Sequence, residues 1–218
     1  VTDRGVVRSK SAPLTLIGYR YSVYTWIVRA ALHLKATPFH FQDFDPFTQD
    51  PGPHPHPFGR VPVLQHGAVS LFETVPICGY VDAGLNGPSL TPSGALARAR
   101  AQQVAAIIDN YGYWPMIRQV FAHRVFRPLV GEEPDEATIA EGLTVSAPVL
   151  AALEKIAEEG LILTGATLTL ADCHLAPMVS YFGRAPEGKQ ALSRHPALAR
   201  WWAEVSAQEF LRATDPMA

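Results

Sequence analysis

The stretch Gly59-Arg60-Val61-Pro62-Val63-Leu64-Gln65-His66-Gly67-Ala68-Val69-Ser70-Leu71-Phe72-Glu73-Thr74 decides how the rest of the chain is placed. Two short apolar runs, Val61 to Leu64 and Val69 to Phe72, flank Gln65-His66-Gly67-Ala68, and the glycine supplies the positive φ that tight hairpin turns call for. The pattern predicts a two-stranded antiparallel hairpin. Its second strand runs into Glu73-Thr74 and then into a helical spacing of Val75, Ile77, Val81 and Leu85, with Pro76 in the first turn, where its missing N–H costs little. A carboxylate and a hydroxyl thus stand at a helix N-terminus, whose unsatisfied N–H groups make a seat for an anion.

Upstream, Leu14-Thr15-Leu16-Ile17-Gly18 reads as a first strand. A helix follows from Tyr24 or Thr25 to Leu34, with Ile27, Ala30, Ala31 and Leu34 on one face, and Phe39 to Asp43 gives a second strand. The order strand, helix, strand, loop, hairpin, helix is that of a thioredoxin-like domain, placed at residues 13–83. The right-handed crossover rule makes the first two strands parallel, and the hairpin adds two antiparallel ones, giving one mixed four-stranded sheet. Between the second strand and the hairpin, five prolines between Asp45 and Phe58 exclude a regular helix and predict a polyproline-like loop. His54 and His56 lie in that loop without a further cysteine or carboxylate at ligand spacing, so no metal is expected.

Downstream, Asp82-Ala83-Gly84-Leu85-Asn86-Gly87-Pro88-Ser89 has the turn density of a linker. An all-α domain over residues 92–212 is expected beyond it. Ser93 or Gly94 caps a long helix from Ala95 to about Phe126, bent at Trp114-Pro115. A second helix spans Glu136 to Glu159. Thr169-Leu170-Ala171-Asp172 is a capping-box arrangement at the start of an apolar helix reaching Phe182, and a last helix runs from Ala197 to about Leu211 with Trp201 and Trp202 in the core. The fold class is an α/β N-terminal thioredoxin-like domain followed by an all-helical domain.

With 218 residues, 48% hydrophobic and 17% charged, the chain can bury a real core, which excludes disorder for most of it. A net charge of −2 gives no basic footprint for nucleic acid or an anionic membrane, and no uninterrupted apolar run reaches transmembrane length. A small molecule is the expected partner. Residues 1–11 lack the apolar core of a secretory signal and read as a loose leader, leaving the cytoplasm as the default compartment. Cys78 and Cys173 form no CxxC and read as buried thiols without a catalytic role.

The hairpin and its helix resemble the glutathione-binding half of the glutathione transferases. Val61-Pro62 matches the family's Val-Pro dipeptide with its cis proline, and Glu73-Thr74 matches the Glu/Gln-Ser/Thr pair that holds the γ-glutamyl end of glutathione. Ile77-Cys78-Gly79-Tyr80-Val81 matches the following Ile-x-x-Tyr-Leu/Val. His56-Pro57-Phe58-Gly59-Arg60-Val61-Pro62 is similar to the family's Asn-Pro-x-Gly-Lys-Val-Pro, which offers Arg60 to the glycine carboxylate. In the helical half, Thr169, Ala171, Asp172, Leu175 and Pro177 match a Thr-x-Ala-Asp-x-x-Leu-x-Pro frame whose box is structural. The resemblance covers residues 13–212. It implies glutathione as co-substrate, bound by Arg60, Val61, Pro62, Glu73 and Thr74, and a homodimer.

The family's chemistry needs glutathione's cysteine as thiolate, since the thiolate is the nucleophile. Trp26-x-Val28-Arg29-x-Ala31-Leu32 resembles the zeta-class Trp-Arg-Val-Arg-Ile-Ala-Leu, and in that register Ser22 takes the position of the catalytic serine. Val23 and Tyr24 depart from the zeta serine and cysteine, which weighs against zeta-type isomerase activity. Tyr19, Tyr21 and Tyr24 are the rival hydroxyl donors, and a plain helix cap is the other role open to Ser22. For the electrophile, Tyr21, Tyr111 and Trp114 are the candidate pocket residues, with core packing as the rival role of the aromatic cluster on the long helix. The leading expectation is a glutathione-dependent transferase acting on small electrophiles. The alternative is a non-catalytic stress or scaffold protein of the same fold that binds glutathione. A thiol-disulfide enzyme would need a cysteine where Tyr21 and Ser22 stand.

Overall fold

The computed structural model describes residues 12–47 and 55–218. The expected leader and residues 48–54 of the proline-rich loop lie outside them. Strands β1 (Leu14–Gly18), β2 (His40–Asp43), β3 (Val63–His66) and β4 (Val69–Phe72) form one sheet in the order β2-β1-β3-β4. β1 and β2 are parallel, with Thr15 opposite His40, and β1 and β3 antiparallel, with Ile17 opposite Val63. The hairpin pairs Val63 with Phe72 and His66 with Val69. Its loop is therefore only Gly67-Ala68, and Gly67 takes φ +58°, as a two-residue hairpin loop requires. β3 begins at Val63, two residues later than its apolar run, because Pro62 has no N–H for the ladder; the Val61–Pro62 peptide is cis.

Helices α1 (Val23–Leu34) and α2 (Thr74–Gly84) pack against each other beside the sheet. Trp26, Ile27, Val28, Leu16 and Leu64 are fully buried among them. The helical half opens with α3 (Ala95–Ile107), which runs without interruption into a π-helical segment, Ile108–Phe126, and a final turn, α4 (Arg127–Leu129). The expected bend at Pro115 is thus a long stretch of wider winding. A proline inside a helix removes one backbone hydrogen bond, and a wider turn is one way for the chain to accommodate it.

Helix α5 (Glu136–Glu158) packs most extensively on this π segment. The two approach so closely at Gly142 that a Cβ there would stand 2.7 Å from the Gln119 Cβ and 2.9 Å from the Pro115 carbonyl oxygen. Among the described residues α5 alone has the length and composition to cross a bilayer. It is instead held in the protein: its buried Glu154 accepts the main-chain N–H groups of Ala197 and Leu198, each at 2.8 Å.

Helix α6 (Leu170–Phe182) begins at the expected capping box and is buried along nearly its whole length. The final helical stretch differs from expectation in two ways. A further helix, α7 (Pro186–Ser193), precedes it, and the stretch itself divides into α8 (Pro196–Val205) and α9 (Glu209–Arg212). Trp201 is buried, whereas Trp202 is half-buried.

Among the described residues, several direct ties join the sheet half to the linker and the helices. The Tyr181 hydroxyl donates to the Tyr21 carbonyl at 3.0 Å, and the Trp26 indole N–H to the Thr214 hydroxyl at 2.8 Å. The Leu170 N–H donates to the Leu90 carbonyl at 2.9 Å. Buried Lys35, just past α1, donates to the carbonyls of Asp82 (3.0 Å) and Pro88 (2.8 Å) and pairs with the Asp82 carboxylate at 3.3 Å. Asp82 in turn accepts the Leu90 N–H and the Thr91 hydroxyl.

Candidate functional site

Two helix N-termini open onto one cleft between the sheet and the π segment. The first is that of α1, where Ser22 is the N-cap and its Oγ accepts the Thr25 N–H at 3.3 Å. A serine hydroxyl that accepts in this way still has its proton to donate. The capping role and a role toward a ligand are therefore compatible at Ser22.

The second is that of α2. Glu73, its N-cap, holds φ +68° and ψ 130°, a conformation that side-chain-bearing residues rarely adopt. Such backbone costs on the order of 1–3 kcal/mol and persists where surrounding structure fixes it. The helix has no side-chain cap, so its leading N–H groups keep their donor capacity, and Thr74 is buried at the same turn. Strained backbone and an uncapped helix end coincide at one point of the cleft.

The cleft has a volume of about 860 Å³, within the range of small-molecule sites. Eight of the nine residues singled out from sequence line it: Tyr21, Ser22, Arg60, Val61, Pro62, Glu73, Thr74 and Trp114. Tyr111 does not. Its side chain is 66% exposed and lies off the cleft, because residues two apart on a helix do not share a face. The cleft face of the π segment carries Asp109, Tyr113, Ile117, Phe121 and Phe126, roughly one turn apart. Tyr113, two residues on, lines the cleft where Tyr111 does not.

The structure also separates the rival tyrosines. Tyr24 packs on Tyr113 with ring centroids 4.9 Å apart and hydrogen-bonds the Asp109 carboxylate. Burial, with Asp109 close by, raises the Tyr24 pKa far above that of a free phenol, so this hydroxyl keeps its proton for Asp109. Burial likewise raises the Tyr19 pKa, with Asp45 adding to it. Tyr21 sets its ring between Tyr19 (5.6 Å) and Phe126 (5.5 Å).

Asp109 and His56 also line the cleft. Asp109 has its carboxyl pKa pushed up to about 6, chiefly by removal from water, with the Glu73 charge adding and the Tyr24 hydrogen bond opposing. Its position one turn before Tyr113 was the available signal. His56 is buried; its Nδ1 accepts the Phe58 N–H at 3.1 Å and its Nε2 stands 3.6 Å from Glu73. The sequence marked it only through the family's Asn-Pro-x-Gly-Lys-Val-Pro frame, in which His56 stands at the asparagine. Cys78 and Cys173 are buried, free, and outside the cleft, and burial raises both thiol pKa values, so neither offers a thiolate.

Comparison with known proteins gives two family matches: "Glutathione S-transferase, N-terminal domain" over residues 16–89, and "Glutathione S-transferase, C-terminal domain" over residues 113–209. A probable glutathione S-transferase of Oryza sativa subsp. japonica, GSTF2, is 30% identical over 155 residues, covering 70% of this chain and 71% of that one. Glutathione S-transferase 3 of Zea mays is 27% identical over 212 residues, 93% of each chain. Among solved structures, glutathione S-transferase III in its apo form superposes with a TM-score of 0.80 at 26% identity, covering 93% of this chain and 95% of that one.

Proposed function

Because the chain belongs to the glutathione S-transferase family, we propose that its catalysis runs through Ser22, which donates a hydrogen bond to the glutathione thiolate while that thiolate attacks a small electrophile. The protein is a glutathione transferase, and what the proposal adds is the assignment of roles. The observation that carries it is the pair of helix N-termini on one cleft, Ser22 at one and Glu73-Thr74 at the other. Glutathione has a thiol in its middle and an α-carboxylate at its γ-glutamyl end. The uncapped start of α2, with the Thr74 hydroxyl, suits the carboxylate. Glu73 suits the neighbouring ammonium, the Val61 main chain the central peptide, and Arg60, beside Pro62, the glycine carboxylate.

A thiol of reference pKa about 8.5 is only about 3% ionised at pH 7, and lowering it by about 2 units raises this to roughly three quarters. One charge-assisted hydrogen bond near a helix N-terminus supplies a shift of that size. The electrophile occupies the aromatic part of the cleft, between Tyr21 and the π segment. Residues 13–83 and 92–212 form the two domains, a division supported by the end of α2 at Gly84 and the start of α3 at Ala95. The working form is a cytoplasmic homodimer serving detoxification.

The test is ultraviolet titration of the bound thiol. Ser22→Ala should raise its pKa by roughly 1–2 units, the equivalent of losing a bond worth about 1.5–3 kcal/mol. Glutathione affinity should change far less, since most of it comes from the two ends of the tripeptide. A pKa unmoved by Ser22→Ala but raised by Tyr21→Phe would transfer the role to the tyrosine.

A further inference from the structure

The charges on the cleft wall are unevenly matched. Of its two carboxylates, Asp109 takes the Tyr24 hydrogen bond and Glu73 stands 3.6 Å from His56. Arg118, on the π segment, has no ion pair among the described residues. Its guanidinium instead lies over the Phe47 ring, 5.9 Å from the centroid. A guanidinium held by its face keeps its N–H edge for a planar, two-oxygen acceptor.

The neighbours of Arg118 are those expected of an acceptor site rather than a tripeptide site. Ile117 and Phe121 flank it on the same segment of the wall. Phe47 meets Tyr19 edge-on at 5.8 Å, Tyr19 meets Tyr21 at 5.6 Å, and Tyr21 is the residue before Ser22. A continuous set of rings therefore leads from the α1 N-terminus to one cation without an anionic partner. The other arginine lining the cleft, Arg60, comes from the loop before β3, beside Val61 and Pro62.

We propose that this cleft prefers flat aromatic electrophiles carrying a carboxylate or similar compact anion, with Arg118 as the residue that holds the anion. The inference rests on the transferase reading and specifies its second substrate. The rings of the cleft stack on the arene, and the anion forms a two-pronged contact with the guanidinium at the far end from the attacked carbon. With a chloroarene, the thiolate sulfur forms a bond to the carbon bearing chlorine. The carbon–chlorine bond breaks, chloride leaves with the bonding pair, and the proton lost from the thiol passes to solvent.

The test compares two chloroarenes of like reactivity type, neutral 1-chloro-2,4-dinitrobenzene and anionic 4-chloro-3,5-dinitrobenzoate, each against its own uncatalysed rate. Arg118→Met should lower kcat/KM for the benzoate by on the order of tenfold more than for the neutral arene, through KM of the benzoate. Arg118→Lys should recover part of that difference. Equal losses on both arenes, no loss on either, or a loss that appears as a raised KM for glutathione would overturn the assignment of Arg118 and leave the transferase reading standing. Absence of turnover of both arenes by the unaltered protein would overturn the transferase reading for this class and the proposal with it.

Discussion

Replacing Asp172 measures how firmly the helical half is built around one carboxylate. The side chain is fully buried. Its Oδ2 accepts the Thr169 N–H at 2.7 Å and the Thr169 hydroxyl at 2.8 Å, and its Oδ1 accepts the Trp201 indole N–H at 2.7 Å. The sequence pattern alone predicted a cap, worth about 1–2 kcal/mol. The Trp201 bond, across 29 residues, makes it a junction between α6 and α8. Asp172→Ala relieves the cost of burying the carboxyl, which raises its pKa despite the Trp201 and Thr169 bonds, but strands two donors that cannot turn away, the Thr169 N–H and the Trp201 N–H. At about 1–3 kcal/mol for each buried unsatisfied donor, the loss should be about 2–5 kcal/mol. With a urea slope of about 2–3 kcal/mol/M, the unfolding midpoint should fall by on the order of 1–2 M. Asp172→Asn should recover only part, because its amide turns a donor toward one of the same donors. A midpoint shift no larger than an exposed cap gives, or an asparagine variant as stable as the parent, would refute the junction.

Thr74→Val should weaken glutathione binding by about 1–3 kcal/mol in calorimetric titration while the fold is kept, and unchanged affinity would remove this turn from the site. Asp109→Asn should delete an ionisation near pH 6, the value to which the Asp109 carboxyl is raised, from the pH profile of glutathione binding. Its folded pKa lies above its unfolded one, so its stability contribution is present below the unfolded value and lost as pH rises through about 6. The asparagine variant should therefore gain on the parent in urea midpoint across that window, and parallel midpoints would refute the assignment. Gly142→Val should push α5 off the π segment, since even a Cβ has no room there, raising KM for the electrophile along with a loss of stability; a merely local defect would lower stability and leave KM alone.

The parts of this molecule that could be read from sequence are those whose physics is local. Gly67 sets its turn within two residues, Pro62 cannot enter a ladder, and Thr169 and Asp172 cap one helix from within one turn. The helix start at Glu73-Thr74 was legible for the same reason, whereas Ser22 was reached through the Trp26-x-Val28-Arg29 resemblance, and the expected helix start at Tyr24 or Thr25 falls one or two residues after the observed one at Val23. Tyr111 was misjudged because the choice between it and Tyr113 depends on how the long helix is wound and which side faces the sheet, a tertiary property. Helix α7 went unseen because Pro186-Glu187-Gly188-Lys189-Gln190 offers little apolar period. It is placed by packing, with Gly188 so close to the Phe182 carbonyl that no side chain would fit. Asp109 and Arg118 share the π segment while His56 comes from the proline-rich loop, and only folding brings these two parts of the chain to one cavity.

The buried ammonium of Lys35 has a consequence for recombining this protein with its relatives. By composition, residues 82–89 invite a crossover point, since loops of glycine, asparagine and proline usually tolerate a splice. Here two of those loop carbonyls, at Gly87 and Pro88, accept from Lys35, while Leu90 and Thr91 donate to Asp82. A chimera joined at residue 86 would supply the ammonium from one parent and half of its oxygens from another, and any mismatch would bury an ill-matched charge. A join just after Thr91 inherits the whole cluster from a single parent and leaves the incoming helices to supply a main-chain N–H at position 170 for Leu90 and the partners of Tyr21, Tyr24 and Trp26. That boundary, five residues beyond the one composition suggests, is where the two halves of this architecture can be exchanged.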